Sequence, residues 1–179
     1  MLACGYTPQS ALQESDSGEF RLVKIKRLIS NCRLGIHDIS RTEVDHTSNL
    51  PRFNMPFELG LDIGAREYAH SSSNLKDKNF LVFDKERFRY NQFLSDISGQ
   101  DISSHDGHYT TALKKVRAWL NALPENKGKP LIGPEKLIEH YHQFSFSIPS
   151  ICKSLGLDEH DIGYNDYLAL TSNWIELIV

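Results

Sequence analysis

Hydrophobic patterning in the first half of the chain predicts alternating strands and helices. Apolar residues recur at helical spacing from Phe20 to Cys32, with lysine and arginine between them. Two short runs, RLGIHDIS and FLVFD, are typical of buried strands, and the helical pattern RFNMPFELGLDIG of residues 52–64 lies between them. Near the N-terminus, GYTPQSAL predicts a short strand. Pro8 favours an edge position for it, since proline donates no ladder hydrogen bond.

This order of elements predicts the fold class. Strand, helix, strand, helix and strand in succession favour an α/β fold, in which helices cover the faces of a parallel sheet. We predict a single domain over residues 1–179, with a sheet core carrying the site in residues 1–105 and a mainly helical part in residues 106–179.

The second half of the chain predicts helices. TTALKKVRAWLNAL has a helical apolar face, and Thr110 or Thr111 is the expected N-cap. LIEHYHQFSFSIPSI and DYLALTSNWIELIV also have helical patterns, with Pro149 and Gly156 marking helix ends. The apolar end WIELIV could pack in a core or form a docking surface for a homo-oligomer.

Composition narrows the class of protein. The 179 residues are 40% hydrophobic and 24% charged, with a net charge of −3, which is typical of a globular domain and gives no general attraction to nucleic acid or membranes. No apolar run approaches the roughly 20 residues of a membrane helix, and the N-terminus does not resemble a signal peptide. The three widely spaced cysteines predict free thiols in a cytoplasmic protein.

Carboxylates follow both predicted strands. Ligands of parallel sheets bind outside the carboxyl ends of the strands, where Asp38 and Asp84 fall. The loop before the next helix opens at the same edge, and that helix carries Glu58 within its apolar run. Asn54 lies one turn earlier. Cleavage of a glycosidic bond passes through a positively charged sugar, which a carboxylate stabilises. The alternative is a Glu58 that is solvated or paired with Arg66 or Arg52.

Basic and aromatic residues follow the second strand. Arg87 and Tyr90 lie in DKERFRYNQF, and Arg41 lies in the preceding rim loop. Such side chains can hold a phosphate and stack on a base. The alternative is a charged helix start whose arginines pair with neighbouring acids. His105 and His108 are the nearest approach to a metal cluster, but a solvated Gly/Ser-rich loop explains them better, so we predict no metal site.

CRLGIHDIS, a polar loop and NMPFELGLDIGA together resemble the nucleoside 2-deoxyribosyltransferase family and its TIR-like relatives. In that family, a strand ends in an Asp-containing turn, and a loop leads to a helix with a Glu-x-Gly motif, here ELG at Glu58. Ala65 and the strand NFLVFD match the segment that follows, so the resemblance covers residues 33–84. It implies a flavodoxin-like (Rossmann-like) fold and breakage of an N-glycosidic bond. Glu58 would be the nucleophile or the charge facing the ribosyl cation, and Asp38 the strand-end carboxylate.

The chain also departs from that family. The family begins with a strand and loop that supply substrate-binding groups, whereas this chain starts at what resembles the second strand, so the expected fold lacks the usual first strand. RFN replaces the acidic residue and the Gly-Thr-type turn before the glutamate. Arg52 and Asn54 suit a phosphate or a nicotinamide-like amide, which favours a nucleotide substrate, with NAD as one candidate.

The leading hypothesis is an enzyme that cleaves or transfers at the ribosyl C1′ of a nucleoside or nucleotide, without a cofactor. The alternative is a non-catalytic nucleotide-binding or sensing module, or a TIR-like interaction module, in a setting such as bacterial defence. The chain as a whole resembles an uncharacterised bacterial protein family through GIHDISRTE, LPRFNMPFELGLDIGA and LVFDKERFRYNQFLSDISGQDI, a likeness that implies no activity.

Overall fold

Alternating helices and strands build Asp16–Ala112, one of the two compact units into which the chain divides. The structure is a computed structural model that describes residues 1–44, 47 and 49–178. The elements of this unit, in chain order, are α1 (Arg21–Asn31), β1 (Leu34–Asp38), α2 (Asn54–Glu67), β2 (Asn79–Asp84) and β3 (Ser103–Ser104). The fold is α/β with a parallel sheet, as predicted, in a flavodoxin-like (Rossmann-like) arrangement.

The three strands lie in the order β1-β2-β3, and all of them are parallel. Asp38 pairs with Phe83, and Asp84 pairs with Ser104, so the carboxyl ends of the strands meet at one edge. We call this edge the rim. The helices α1 and α2 and the strands β1 and β2 were predicted correctly. The strand β3 was not predicted, because its two serines carry no hydrophobic pattern.

The hydrophobic core of this unit lies where α2 meets the sheet. Ile39, Leu59, Val82 and Tyr90 are buried together. Pro56 in the first turn of α2 suits the helix start, because proline lacks only an N–H that would have no intrahelical partner there. The end of β1 and the start of α2 are therefore fixed against each other by packing.

Leu59→Ala should destabilise the protein by about 2–4 kcal/mol, because Leu59 is 1% exposed and its loss leaves a cavity in the core. Urea unfolding followed by circular dichroism measures the change in the free energy of unfolding. Phe57→Ala is the control on the same helix, since Phe57 is 54% exposed. Its cost should stay within about 0.5 kcal/mol. Equal costs for the two variants would contradict this packing of α2.

The second unit combines Met1–Ser15 with Leu113–Val179. Its helices are α3 (Tyr109–Ala122), whose first turn lies before the division, α4 (Pro134–Leu155) and α5 (Tyr164–Ile178). Phe144, Cys152 and Leu170 form a buried cluster, against which Trp174 of the WIELIV segment packs. The last residue of that segment, at position 179, lies outside the described residues.

Three predictions for this part of the chain were wrong. Residues 6–10 form no strand; instead, Tyr6 donates a hydrogen bond to Glu125 and accepts one from Asn126, so side chains fix this segment. Pro149 lies inside α4, because the buried residues on either side of it keep the helix continuous through the missing hydrogen bond. The helix α3 begins at Tyr109, ahead of both predicted capping threonines. Gly156 does end α4, with a positive φ of 70°.

Across the described part of the chain, no helix combines the length and the apolar composition needed to cross a lipid bilayer.

Candidate functional site

Asp38 stands at the rim as the last residue of β1. Its side chain is 51% exposed, and its Oδ1 accepts the backbone N–H of Ser40 at 3.0 Å. This local hydrogen bond turns the chain away from the sheet and fixes one carboxylate oxygen. Within the described residues, no hydrogen bond reaches the other oxygen, Oδ2. Asp38 therefore lies at the rim, where the sequence predicted it, with Oδ2 free of hydrogen bonds from the described residues.

His105 lies beside Asp38, directly after β3. Its Nε2 is 3.6 Å from Asp38 Oδ1, and its side chain is 14% exposed. The ring meets Phe83 edge-on, with 6.0 Å between the ring centroids, and the backbone N–H of His105 donates to the Asp84 carbonyl at 3.1 Å. The sequence indicated a solvated loop, or less favourably a metal ligand, at His105. Its pairing with Asp38 was not predicted, because the two positions meet only through the unpredicted strand β3.

Asp84 ends β2 and is fully buried. Its Oδ1 accepts hydrogen bonds from the Lys85 backbone and from Arg89, whose Nε lies 2.9 Å away. Arg89 also donates through Nη2 to the carbonyl of Ser40 at 2.8 Å. One guanidinium thus joins the end of β2 to the chain that leaves β1. This is the alternative that the sequence left open, in which an arginine pairs with a neighbouring acid. Asp84 therefore stabilises the rim from inside the protein.

Arg89→Lys should cost about 1–2 kcal/mol of stability, because lysine keeps the charge but loses the planar fork that reaches Asp84 and two carbonyls at once. Thermal unfolding of the purified variants measures it. Arg87→Lys, two residues earlier on an exposed side chain, should leave the midpoint unchanged. A larger drop for Arg87→Lys than for Arg89→Lys would refute this role of the guanidinium.

Glu58 is half-buried in the second turn of α2. Its chain neighbour Leu59 belongs to the same core cluster as Ile39, the chain neighbour of Asp38. Packing therefore sets residues 38 and 58 at the same end of this unit. Within the described residues, the Glu58 carboxylate has no hydrogen-bond or ion-pair partner, so neither predicted arginine pairing of Glu58 is present. A carboxylate without an internal partner can pair with a cationic group.

The other predicted binding residues differ in placement. Arg41, Arg52, Asn54 and Arg87 are all exposed, and Arg52 has an interaction of its own within the protein. Asn54 is the first residue of α2, so it lies near the rim. Tyr90, in contrast, is 4% exposed and packs in the core, so its ring is not accessible to a ligand.

Arg87 stands beside an exposed aromatic ring. Its guanidinium carbon lies 5.5 Å from the ring centroid of Phe88, whose backbone has a positive φ of 61°. A side chain in this conformation is uncommon and allows the chain to reverse sharply after β2. The pair places a cation and an aromatic ring together on the surface after β2.

A buried charged cluster lies deeper in the unit. Asp62, on α2, faces His37 Nε2 at 2.9 Å and Lys78 Nζ at 3.0 Å, and all three residues are less than 9% exposed. Lys78 also donates to the carbonyls of Ile29 and Cys32 at the end of α1, where a cation is favoured by the helix dipole. This cluster joins α1, α2 and the sheet.

Gly35 makes the close approach of α2 to β1 achievable. A Cβ at this position would lie 2.7 Å from Asp62 Oδ2, inside van der Waals contact. His37 and Asp38 are successive residues of β1 and therefore lie on opposite faces of the sheet, and His37 pairs with Asp62 inside the protein. The burial of Asp62 was not predicted, because an acid at this position is typical of the polar face of an amphipathic helix.

Cys4, Cys32 and Cys152 are free thiols, as predicted, and partial burial raises the pKa of the Cys32 thiol. Among the described residues, no cluster of three histidine, cysteine, aspartate or glutamate side chains is arranged to hold a metal ion. No protein-family model, curated protein or solved structure matches this chain.

Proposed function

We propose that this protein cleaves or transfers at the N-glycosidic bond of a nucleoside or nucleotide, with NAD as one candidate substrate. The observation that carries the proposal is Glu58, a half-buried residue on the helix that follows the exposed Asp38, whose carboxylate has no partner among the described residues. Two carboxylates at the carboxyl edge of a parallel sheet suit a reaction whose sugar carbon becomes positively charged.

The residues take separate roles in this proposal. Glu58 stabilises the ribosyl cation or attacks C1′, so that the bond from C1′ to the base nitrogen breaks and its electron pair leaves with the base. Asp38 accepts hydrogen bonds from the sugar hydroxyls through Oδ2. Water or a second base then attacks C1′. Attack by water completes hydrolysis, and attack by the second base completes transfer. Arg41, Arg52, Asn54 and Arg87 are exposed polar groups that would bind the phosphate or the base.

Chromatography of released base tests the proposal. The purified protein is incubated with NAD, with a ribonucleoside and with a 2′-deoxynucleoside, each with and without an acceptor base. Release of free base from at least one substrate is expected, and formation of a new nucleoside only with acceptor would identify transfer. No release from any of them would overturn the enzymatic proposal.

A non-catalytic nucleotide-binding module is the second candidate. It is favoured by the use of Asp84 and Tyr90 inside the protein, since this leaves fewer of the predicted groups for substrate. Thermal unfolding separates the two candidates. A nucleotide that raises the midpoint without losing its base would support the module, whereas base release supports the enzyme.

A further inference from the structure

The protonation pattern of His105 is set by the turn that follows it. The backbone N–H of Gly107 donates to His105 Nδ1 at 3.0 Å, so Nδ1 is an acceptor and carries no proton. The neutral ring therefore carries its proton on Nε2. Gly107 has a φ of 74°, a left-handed conformation that glycine adopts without strain, so this turn depends on the residue type at position 107.

The Nε2 atom of His105 lies near the carboxylate of Asp38. Nε2 is buried, has no hydrogen-bond partner within the described residues, and lies 3.6 Å from Asp38 Oδ1. This distance exceeds a direct hydrogen bond, but a small rotation of the exposed carboxylate would close it. Such contacts at sites without ligand are often long and shorten when substrate binds.

We propose that His105 is a positioning residue that orients Asp38 toward the sugar of the substrate. With Oδ1 occupied by the Ser40 N–H and by His105 Nε2–H, only Oδ2 remains to accept from the sugar hydroxyls. The remaining oxygen, Oδ2, then accepts a hydrogen bond from a sugar hydroxyl of the substrate. His105 transfers no proton in this role. The sugar contact rests on the proposed function, whereas the orientation of Asp38 does not.

Two replacements of His105 separate this role from a purely structural one. His105→Asn keeps an acceptor near the position of Nδ1 for the Gly107 N–H, but its amide is too short to reach Asp38. His105→Gln places an amide N–H near the position of Nε2. We expect kcat/KM for base release from a ribosyl substrate to fall about tenfold or more in His105→Asn and to return to within about threefold of wild type in His105→Gln. His108→Asn, an exposed histidine three residues later, is the matched control and should behave like wild type.

A readout that does not depend on activity is the ¹⁵N NMR spectrum of the histidine rings. His105 should be the Nε2–H tautomer near neutral pH, and Asp38→Asn should shift its Nε2 resonance while leaving that of His108 unchanged. An Nδ1–H tautomer, an unmoved Nε2 resonance, or equal activity in the Asn and Gln variants would overturn the proposal. An inactive wild type with the expected tautomer and shift would overturn the proposed reaction and support the orientation of Asp38.

Discussion

Glu58→Gln is expected to lower the rate of base release by at least about a hundredfold, because it removes the charge that faces the sugar cation while keeping the shape of the side chain. Glu58 has no internal partner among the described residues, so its neutral analogue leaves no group unsatisfied. The measurement is the initial rate of base release at saturating substrate, together with the unfolding midpoint, which should change little.

Glu67→Gln is the matched control for this loss of charge. Glu67 ends the same helix, and its exposed side chain pairs with Arg66 at 3.1 Å. It should keep the wild-type rate. A Glu58→Gln enzyme as active as wild type would rule out the carboxylate as the group that acts at C1′, and equal losses in both variants would indicate a general effect of charge.

Asp62→Asn should destabilise the protein by about 3–5 kcal/mol, the usual cost of breaking a buried ion pair. The replacement leaves the buried ammonium of Lys78 without a counter-charge, and His37 loses its carboxylate partner. Asparagine is nearly the same size, so the effect is electrostatic and involves little cavity formation. Urea unfolding at neutral pH measures the change in free energy.

Two further variants identify the cause of that loss. Asp77→Asn removes an exposed carboxylate beside Lys78 and should cost less than about 0.5 kcal/mol. Combining Asp62→Asn with Lys78→Met removes both buried charges and should cost less than the sum of the single changes. If Asp62→Asn costs no more than Asp77→Asn, the buried cluster does not stabilise this unit.

Local periodicity was sufficient to predict most of the helices and the two longer strands. The apolar spacing of α1 and the short apolar runs of β1 and β2 follow directly from the pattern of burial, so the α/β fold could be predicted from the sequence. The strand β3 could not, because two serines extend the sheet only through backbone pairing with Phe83 and Asp84. Pro149 led to the wrong prediction of a helix end, since core packing outweighed the tendency of proline to interrupt a helix.

The candidate site likewise contains residues whose position could be predicted from the sequence and residues whose position could not. Asp38 could be placed at the rim because its position follows from the end of a strand. The burial of Tyr90 and the pairing of Asp84 with Arg89 could not be predicted, since both depend on how the chain folds back after β2. The pairing of His105 with Asp38 joins residues 67 positions apart (105 − 38) and has no local signature. Tertiary contacts of this kind leave no periodic trace in the sequence.

A structure of the Glu58→Gln protein with a bound nucleoside or nucleotide tests the central claim most directly. The account predicts that the sugar C1′ lies within about 3–3.5 Å of the side chain at position 58, with the sugar hydroxyls on Asp38 Oδ2. A ligand bound with its sugar away from the rim, or with C1′ farther from residue 58 than about two helical turns, some 11 Å, would contradict it.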